Sequence, residues 1–311
     1  MRGASCEKPP LGINLPNHRS VSEQYGTKSI TIYNIANSIG GSNKLGKQIY
    51  TRPVYRELFA SVNTDIALDL MVDMHELLGH GSGKSHPEIQ SILGKAFSPI
   101  EECRAEAAAV FFGSQPNLLV DTGILKGMDH NEAGKLSLYM IENFFRGQIH
   151  SYIKLGEETE VIKQAHQIGR QILLNRAIAD GAIRINRSSK SGLPWVEVMS
   201  LEAVSESVGK VWHELQEIVS EGDLAKAEAL MADHAYYNDT HKEWRAAVKA
   251  KKEGFVPEEI EDAFGEEKAN MLLGVLEGSN TVVKEMEGLG SVEFEREFET
   301  DEVEVTLKDG S

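Results

Sequence analysis

The sequence predicts a mainly α fold: a helical lobe, a few short strands, and an acidic β segment at the C-terminus. Three observations carry this. Apolar residues recur at helical spacing, as at Leu58, Val62, Ile66 and Leu70. Helix-start signals precede such patterns, as at Asp129 with Glu132 three residues on. Strict alternation is confined to short runs, chiefly the acidic stretch Ser291–Lys308.

Taken in order, residues 1–19 are rich in Pro, Gly and Asn and read as irregular. Ser29–Ala36 is apolar and β-branched and reads as a short strand; 40–43 is a loop. Pro53 opens a helix to about Gly79. Leu58, Val62, Ile66 and Leu70 form its apolar face, with Leu77 and Leu78 near the continuation of that face and Asp65, Asp69 and Asp73 on another. Gly81–Pro87 is a loop; it contains Gly-Ser-Gly-Lys-Ser, but a phosphate loop would need glycine where Leu78 stands. After a linker at 88–96, a second helix covers about 99–113, with Ser98 as N-cap and Pro99 at the first helical position. Asp129 starts a helix to about Ile153. The next spans Glu157–Asp180, with Val161, Ala165, Ile168 and Ile172 on its buried face and Gly181 as its stop. Ala182–Arg187 alternates and reads as a strand. Helices follow at Ser200–Val219, Asp223–Tyr236, the basic 241–252 and the acidic 256–288. The expected division is a larger helical lobe at 1–240 and a C-terminal helical segment with acidic strands at 241–311.

Of 311 residues 41% are hydrophobic, enough for a sizeable core, and the net charge is −16. Such an acidic chain will not hold a nucleic-acid backbone through its overall field. The two cysteines, Cys6 and Cys103, are too few for a disulfide framework and fit a reducing compartment. The first ten residues hold no apolar run of signal-peptide type, and no stretch reaches the length of a membrane span. The expectation is a cytoplasmic protein without nucleic-acid or membrane partners.

Chemistry concentrates in two stretches: His75-Glu76-Leu77-Leu78-Gly79-His80, and Glu101-Glu102-Cys103-Arg104-Ala105-Glu106. Metallopeptidase helices usually carry two histidines four apart. Here they are five apart, which turns the side chains about 140° from each other on an ideal α-helix. Both can bind one ion only if the turn is widened, so a π-bulge is expected within Glu76–His80, where Gly79 tolerates distortion best. Glu102, expected in the first turn of the second helix, supplies a third ligand. Two imidazoles and a carboxylate leave one position open for water, as in catalytic zinc sites. Glu76, directly after His75, suits a general base. Glu101 and Glu106 are expected to accept the outer N–H groups of the two histidines. Trp212-His213-Glu214 repeats the His-Glu pair, but Ile218 stands where a second histidine would be needed.

The two stretches together resemble the paired signatures of the dipeptidyl-peptidase III family of zinc exopeptidases. Gly12-Ile-Asn-Leu-Pro-Asn17 and Gln164-Ala-His166 extend the resemblance, which continues weakly to about Tyr237. The resemblance implies one zinc ion held by His75, His80 and Glu102, with Glu76 as base. It implies that His166 assists at the transition state with Arg170 nearby, and that Asn14 and Asn17 hold the substrate's backbone or amino end. The implied activity is release of dipeptides from the amino end of short peptides. Only the metal-bearing lobe is matched; the family's opposite lobe has no counterpart here. Two further expectations therefore stand beside the enzyme: a zinc-holding lobe that binds peptides or a protein with little turnover, and a fragment needing a partner chain for the missing lobe.

Overall fold

The computed structural model describes residues 12–15, 26, 28–31, 55, 58–156, 161–188 and 192–253, and three strands within 282–308. The fold is mainly helical. The chain divides into two compact units, Pro10–Glu253 and the remainder.

The larger unit is organised around α3 (Phe97–Gly113). Its middle reads Ala105-Glu-Ala-Ala-Ala-Val110, and the alanines are fully buried. A helix lined with alanine on several sides admits close neighbours on several sides. Three elements pack there: the π-helix Met74–His80, α6 (Ala165–Ala179) and α7 (Leu201–Glu221). A Cβ on Gly169 of α6 would lie 2.9 Å from both Cα and N of Cys103, so only glycine lets α6 approach this closely. The Cys103 thiol is buried beneath that contact.

The remaining helices close the core. The α1 helix (Thr64–Asp73) leads into the π-helix. Short α2 (Ile89–Leu93) and a 3-10 turn at Gly94–Ala96 precede α3, and α4 (Pro116–Asp121) follows it. The long α5 (His130–Ser151) begins with the expected capping box between Asp129 and Glu132. Ala67, Met74, Ala109, Leu119, Leu136, Tyr139 and Met140 meet in one apolar cluster where α1, α3, α4 and α5 converge. α8 (Leu224–His234) and α9 (Asp239–Glu253) complete this unit. Trp244 and Val248 bury the inner face of α9, and the division expected at 240/241 falls inside that helix.

Two antiparallel hairpins flank the helices. β1 (Gly12–Leu15) pairs with β2 (Lys28–Thr31), Asn14 opposite Ser29, and runs beside the π-helix. β3 (Ile183–Arg187) pairs with β4 (Pro194–Val198), which lies on α5. In the smaller unit β5 (Val282–Glu285), β6 (Ser291–Arg296) and β7 (Val303–Lys308) form an antiparallel sheet in that order.

Several elements differ from the sequence reading. The first helix is broken at 60–63, where the Asn63 side chain accepts from the amides of Asp65 and Ile66 and starts α1 afresh. The break rotates the apolar face, leaving Ile66 39% exposed, and the π-turn carries Leu77 to 53% exposed. Pro53 lies outside the described residues. Ser98 caps nothing: the preceding 3-10 turn feeds α3 directly, so the helix begins at Phe97 and Glu102 sits beyond its first turn. α6 begins only at Ala165, where the Gln164 side chain accepts from the Gln167 amide, and Val161 is 66% exposed. β1 lies in a stretch read as irregular, β5 in one read as helical.

The Gly169 contact gives a direct test. Gly169→Ala forces α6 off α3 and is expected to lower stability by about 1–3 kcal/mol, measured by urea unfolding. An unchanged midpoint would mean the two helices have room to spare.

Candidate metal centre

The widened turn predicted between the two histidines is present, and it spans the whole of Met74–His80. The Gly81 amide donates to the Glu76 carbonyl five residues back, at 3.1 Å. This spacing brings residues five apart onto one side, and the rings of His75 and His80 meet edge to face with centroids 4.8 Å apart. Gly79 makes the placement possible: a Cβ there would sit 2.5 Å from the Cα of Ala105. The π-helix therefore lies directly on α3 at Ala105, next to Glu106 and about one turn after Glu102.

The donor atoms are ordered by face. The Nε2 atoms of His75 and His80 both point at Glu102, at 3.5 and 3.6 Å from Oε2. Their Nδ1 atoms point the other way: His80 Nδ1 lies 3.0 Å from Glu101 Oε1, and His75 Nδ1 3.7 Å from Glu106 Oε2. One ligand atom from each of His75, His80 and Glu102 can be chosen so that all lie within 4.8 Å of one another. A zinc ion in tetrahedral coordination spaces its nitrogen and oxygen ligands about 3.3 Å apart, close to the two separations found. Glu102 Oε2 is buried and faces these nitrogens without forming a hydrogen bond of good geometry to any of them. An acceptor left in that condition is unfavourable unless a cation completes it. The residues fit a divalent metal.

His166 and Arg170 project from the first turns of α6, four residues apart on one face. His166 Nδ1 is 3.1 Å from Glu102 Oε2 and 3.7 Å from Glu106 Oε1. Arg170 Nε donates to Glu106 Oε1 at 2.7 Å, and its guanidinium lies 5.6 Å from the centroid of the Phe144 ring. His166 is 45% exposed and forms the open side of the cluster. Glu76 is buried, 8% exposed, on the π-helix between the two histidines in sequence.

Burial and charge act against each other throughout. Burial opposes a charge on His75, but the carboxylates of Glu102 and Glu106 beside its ring outweigh it and raise its pKa to about 10. Burial likewise opposes charge on His80, and Glu101 and Glu102 raise it to about 9. Burial pushes the Glu101 carboxyl up, yet His80 and Arg104 bring it down to about 2. Glu102 and Glu106 are also held below the ordinary carboxylate range against their burial, Glu102 mainly by the histidines and Glu106 by Arg170, His166 and His75.

The sequence model of Peptidase family M49 matches residues 4–90 and 85–257, most of the chain. The chain belongs to this family. Dipeptidyl peptidase 3 of Rattus norvegicus and of Homo sapiens are each 26% identical to it over 273 residues, covering 75% of this chain and 36% of the relative. The structure of DPP III from Caldithrix abyssi matches with a TM-score of 0.57 at 20% identity, over 77% of this chain and 42% of that one. Dipeptidyl-peptidase III from Corallococcus sp. strain EGB matches with a TM-score of 0.60 at 22% identity, over 78% and 41%. The M49 chain thus spans little more than a third of the length of these curated relatives, and the structural matches establish a shared fold.

Among the residues singled out from the sequence, the fold gathers His75, His80, Glu101, Glu102, Glu106, His166 and Arg170 into one cluster. Asn14 lies in β1 beside the π-helix. Asn17 lies outside the described residues, as does Cys6. The sequence reading passed over Arg104, although its place between Glu101 and Glu106 was a signal that the helix buries a compensating cation. It also passed over Phe144, which no sequence signal ties to Arg170.

The raised histidine pKa values fix how this M49 centre should take up metal. At pH 7 both rings are below their pKa and protonated, whereas a metal ligates the neutral ring. Uptake of one ion at pH 7 should therefore release about two protons, with affinity falling as pH drops from 9 toward 6. Calorimetric titration with Zn2+ in buffers of different ionisation enthalpy counts these protons. Binding heats that do not depend on the buffer would contradict the pairing.

Proposed function

We propose that this chain is the metal-bearing catalytic lobe of a zinc dipeptidyl-peptidase. The observation that carries the proposal is the convergence of His75 Nε2, His80 Nε2 and the Glu102 carboxylate. These three would hold one Zn2+ and leave a position open. When bound, zinc supplies Lewis-acid chemistry, polarising the scissile carbonyl and acidifying water.

The chain's own residues supply the rest. Glu76 takes the proton of the attacking water and returns it to the leaving amine. His166 donates a hydrogen bond to the developing oxyanion, an effect worth about 3–4 kcal/mol where such donors have been removed. Arg170, anchored by Glu106 and lying near Phe144, holds the substrate beside it. Asn14 and Asn17 hold the peptide's backbone or amino end. Glu101 and Glu106 orient the two histidine rings by accepting from Nδ1. The substrates are short peptides cleaved two residues from the amino end, as the names of the relatives suggest. No described helix is long and apolar enough to cross a membrane. A reducing cytoplasm suits the buried free thiol of Cys103.

The chain's coverage of its relatives, 36% of their length, favours a second reading. In that reading the lobe holds zinc and peptide with little turnover, or acts once a partner chain supplies the opposite lobe.

Hydrolysis of dipeptidyl-arylamides separates these readings. The native chain should cleave them and stop on addition of a chelator. Glu76→Gln should retain stoichiometric zinc and lose about 10²–10⁴-fold in turnover. Zinc-loaded native protein as inert as Glu76→Gln would establish the binding reading instead.

A further inference from the structure

Arg104 and Gln216 stand behind the metal cluster, yet both are connected to His80. Arg104 is fully buried in α3. Its Nε donates to Glu101 Oε2 at 3.0 Å and its Nη2 to Glu101 Oε1 at 2.7 Å, a two-pronged grip on the carboxylate. The same Oε1 lies 3.0 Å from His80 Nδ1. Arg104 Nη1 turns away from the carboxylate and donates to the Ser82 carbonyl at 3.1 Å and to Gln216 Oε1 at 3.4 Å. Gln216 comes from α7, far along the chain, and its Nε2 donates to the Lys84 carbonyl at 2.6 Å. Gly83 lies between these anchors at φ +75°, and a Cβ there would fall 2.1 Å from Gln216 Oε1. The loop after His80 is seated directly against the Gln216 amide.

We infer that Arg104 and Gln216 are positioning residues for the metal centre. Arg104 fixes the plane of the Glu101 carboxylate, and Gln216 fixes Arg104 and the Ser82–Lys84 loop. His80 is then held from both sides, by its ring through Glu101 and by its backbone through the loop. Its Nε2 is kept aimed at Glu102. A π-helix end needs such restraint, because its widened turn leaves the last ligand at the least secured position. This inference rests on the assignment of His75, His80 and Glu102 as ligands.

The test measures Zn2+ affinity of the full chain by competition with a chromophoric chelator, alongside urea unfolding of the metal-free protein. The variants are Gln216→Leu, Arg104→Lys, Glu101→Gln and the double variant Gln216→Leu with Glu101→Gln. Gln216→Leu should weaken Zn2+ binding about tenfold, and Arg104→Lys by at least as much, since lysine cannot grip both oxygens. Because Gln216 acts partly on Glu101, by way of Arg104, and partly on the loop, Gln216→Leu should weaken binding further in the Glu101→Gln background, but by clearly less than the tenfold it causes alone. Should Arg104→Lys fail to fold, Gln216→Leu and the double variant decide. Native-like Zn2+ affinity in Gln216→Leu, or effects that multiply in the double variant, would overturn the inference. A native chain that takes up no Zn2+ would overturn the ligand assignment itself, a distinguishable result.

Discussion

Everything in the larger unit depends on how closely the π-helix lies on α3. The contact is backbone on backbone: the Cα of Gly79 faces Ala105 with no room for a methyl group. Two consequences follow from it. The widened turn can carry two histidines five residues apart onto one side. That side then faces the glutamates of α3, which repeat at Glu102 and Glu106 with the four-residue spacing of one helical face. A bulkier residue at either contact would separate the elements before any ligand atoms could meet.

The same helix carries an unusual load of buried charge. Glu106 and Arg104 are almost wholly enclosed, and Glu101 and Glu102 are partly buried. Uncompensated, such groups would be strongly destabilising. They persist because each faces an opposite charge: Arg104 of the same helix and His80 of the π-helix on Glu101, Arg170 of α6 on Glu106, and three imidazoles around Glu102. The surrounding alanines matter as much as the charges. They keep α3 thin, so the π-helix, α6 and α7 all come close enough to deliver their partners. The charged cluster and the small-residue packing are two aspects of one arrangement.

The cluster is closed on one side and open on the other. Arg104, Gln216 and the Ser82–Lys84 loop seal it behind His80. His166 and Arg170, each more than a third exposed, border solvent.

The sequence by itself determined the mainly α class, the capped helix at Asp129, the hairpin strand after Gly181, and the need for a π-turn between His75 and His80. These are local consequences of spacing, caps and backbone freedom, and a linear string carries them. It also marked Glu101, Glu102 and Glu106 as partners for the histidines, because the two stretches together resemble the paired signatures of one family. It misjudged the first helix, where Asn63 competes for the backbone, and α6, where apolar Val161 continued a pattern the chain does not use. What only the tertiary structure decided is which distant residues complete the centre. Gln216 reaches Arg104 from 112 positions away, and Arg170 reaches Glu106 from 64. Nothing in the local chemistry of a glutamine on an amphipathic helix announces such a partner; the packing of α7 and α6 on the alanines of α3 creates it.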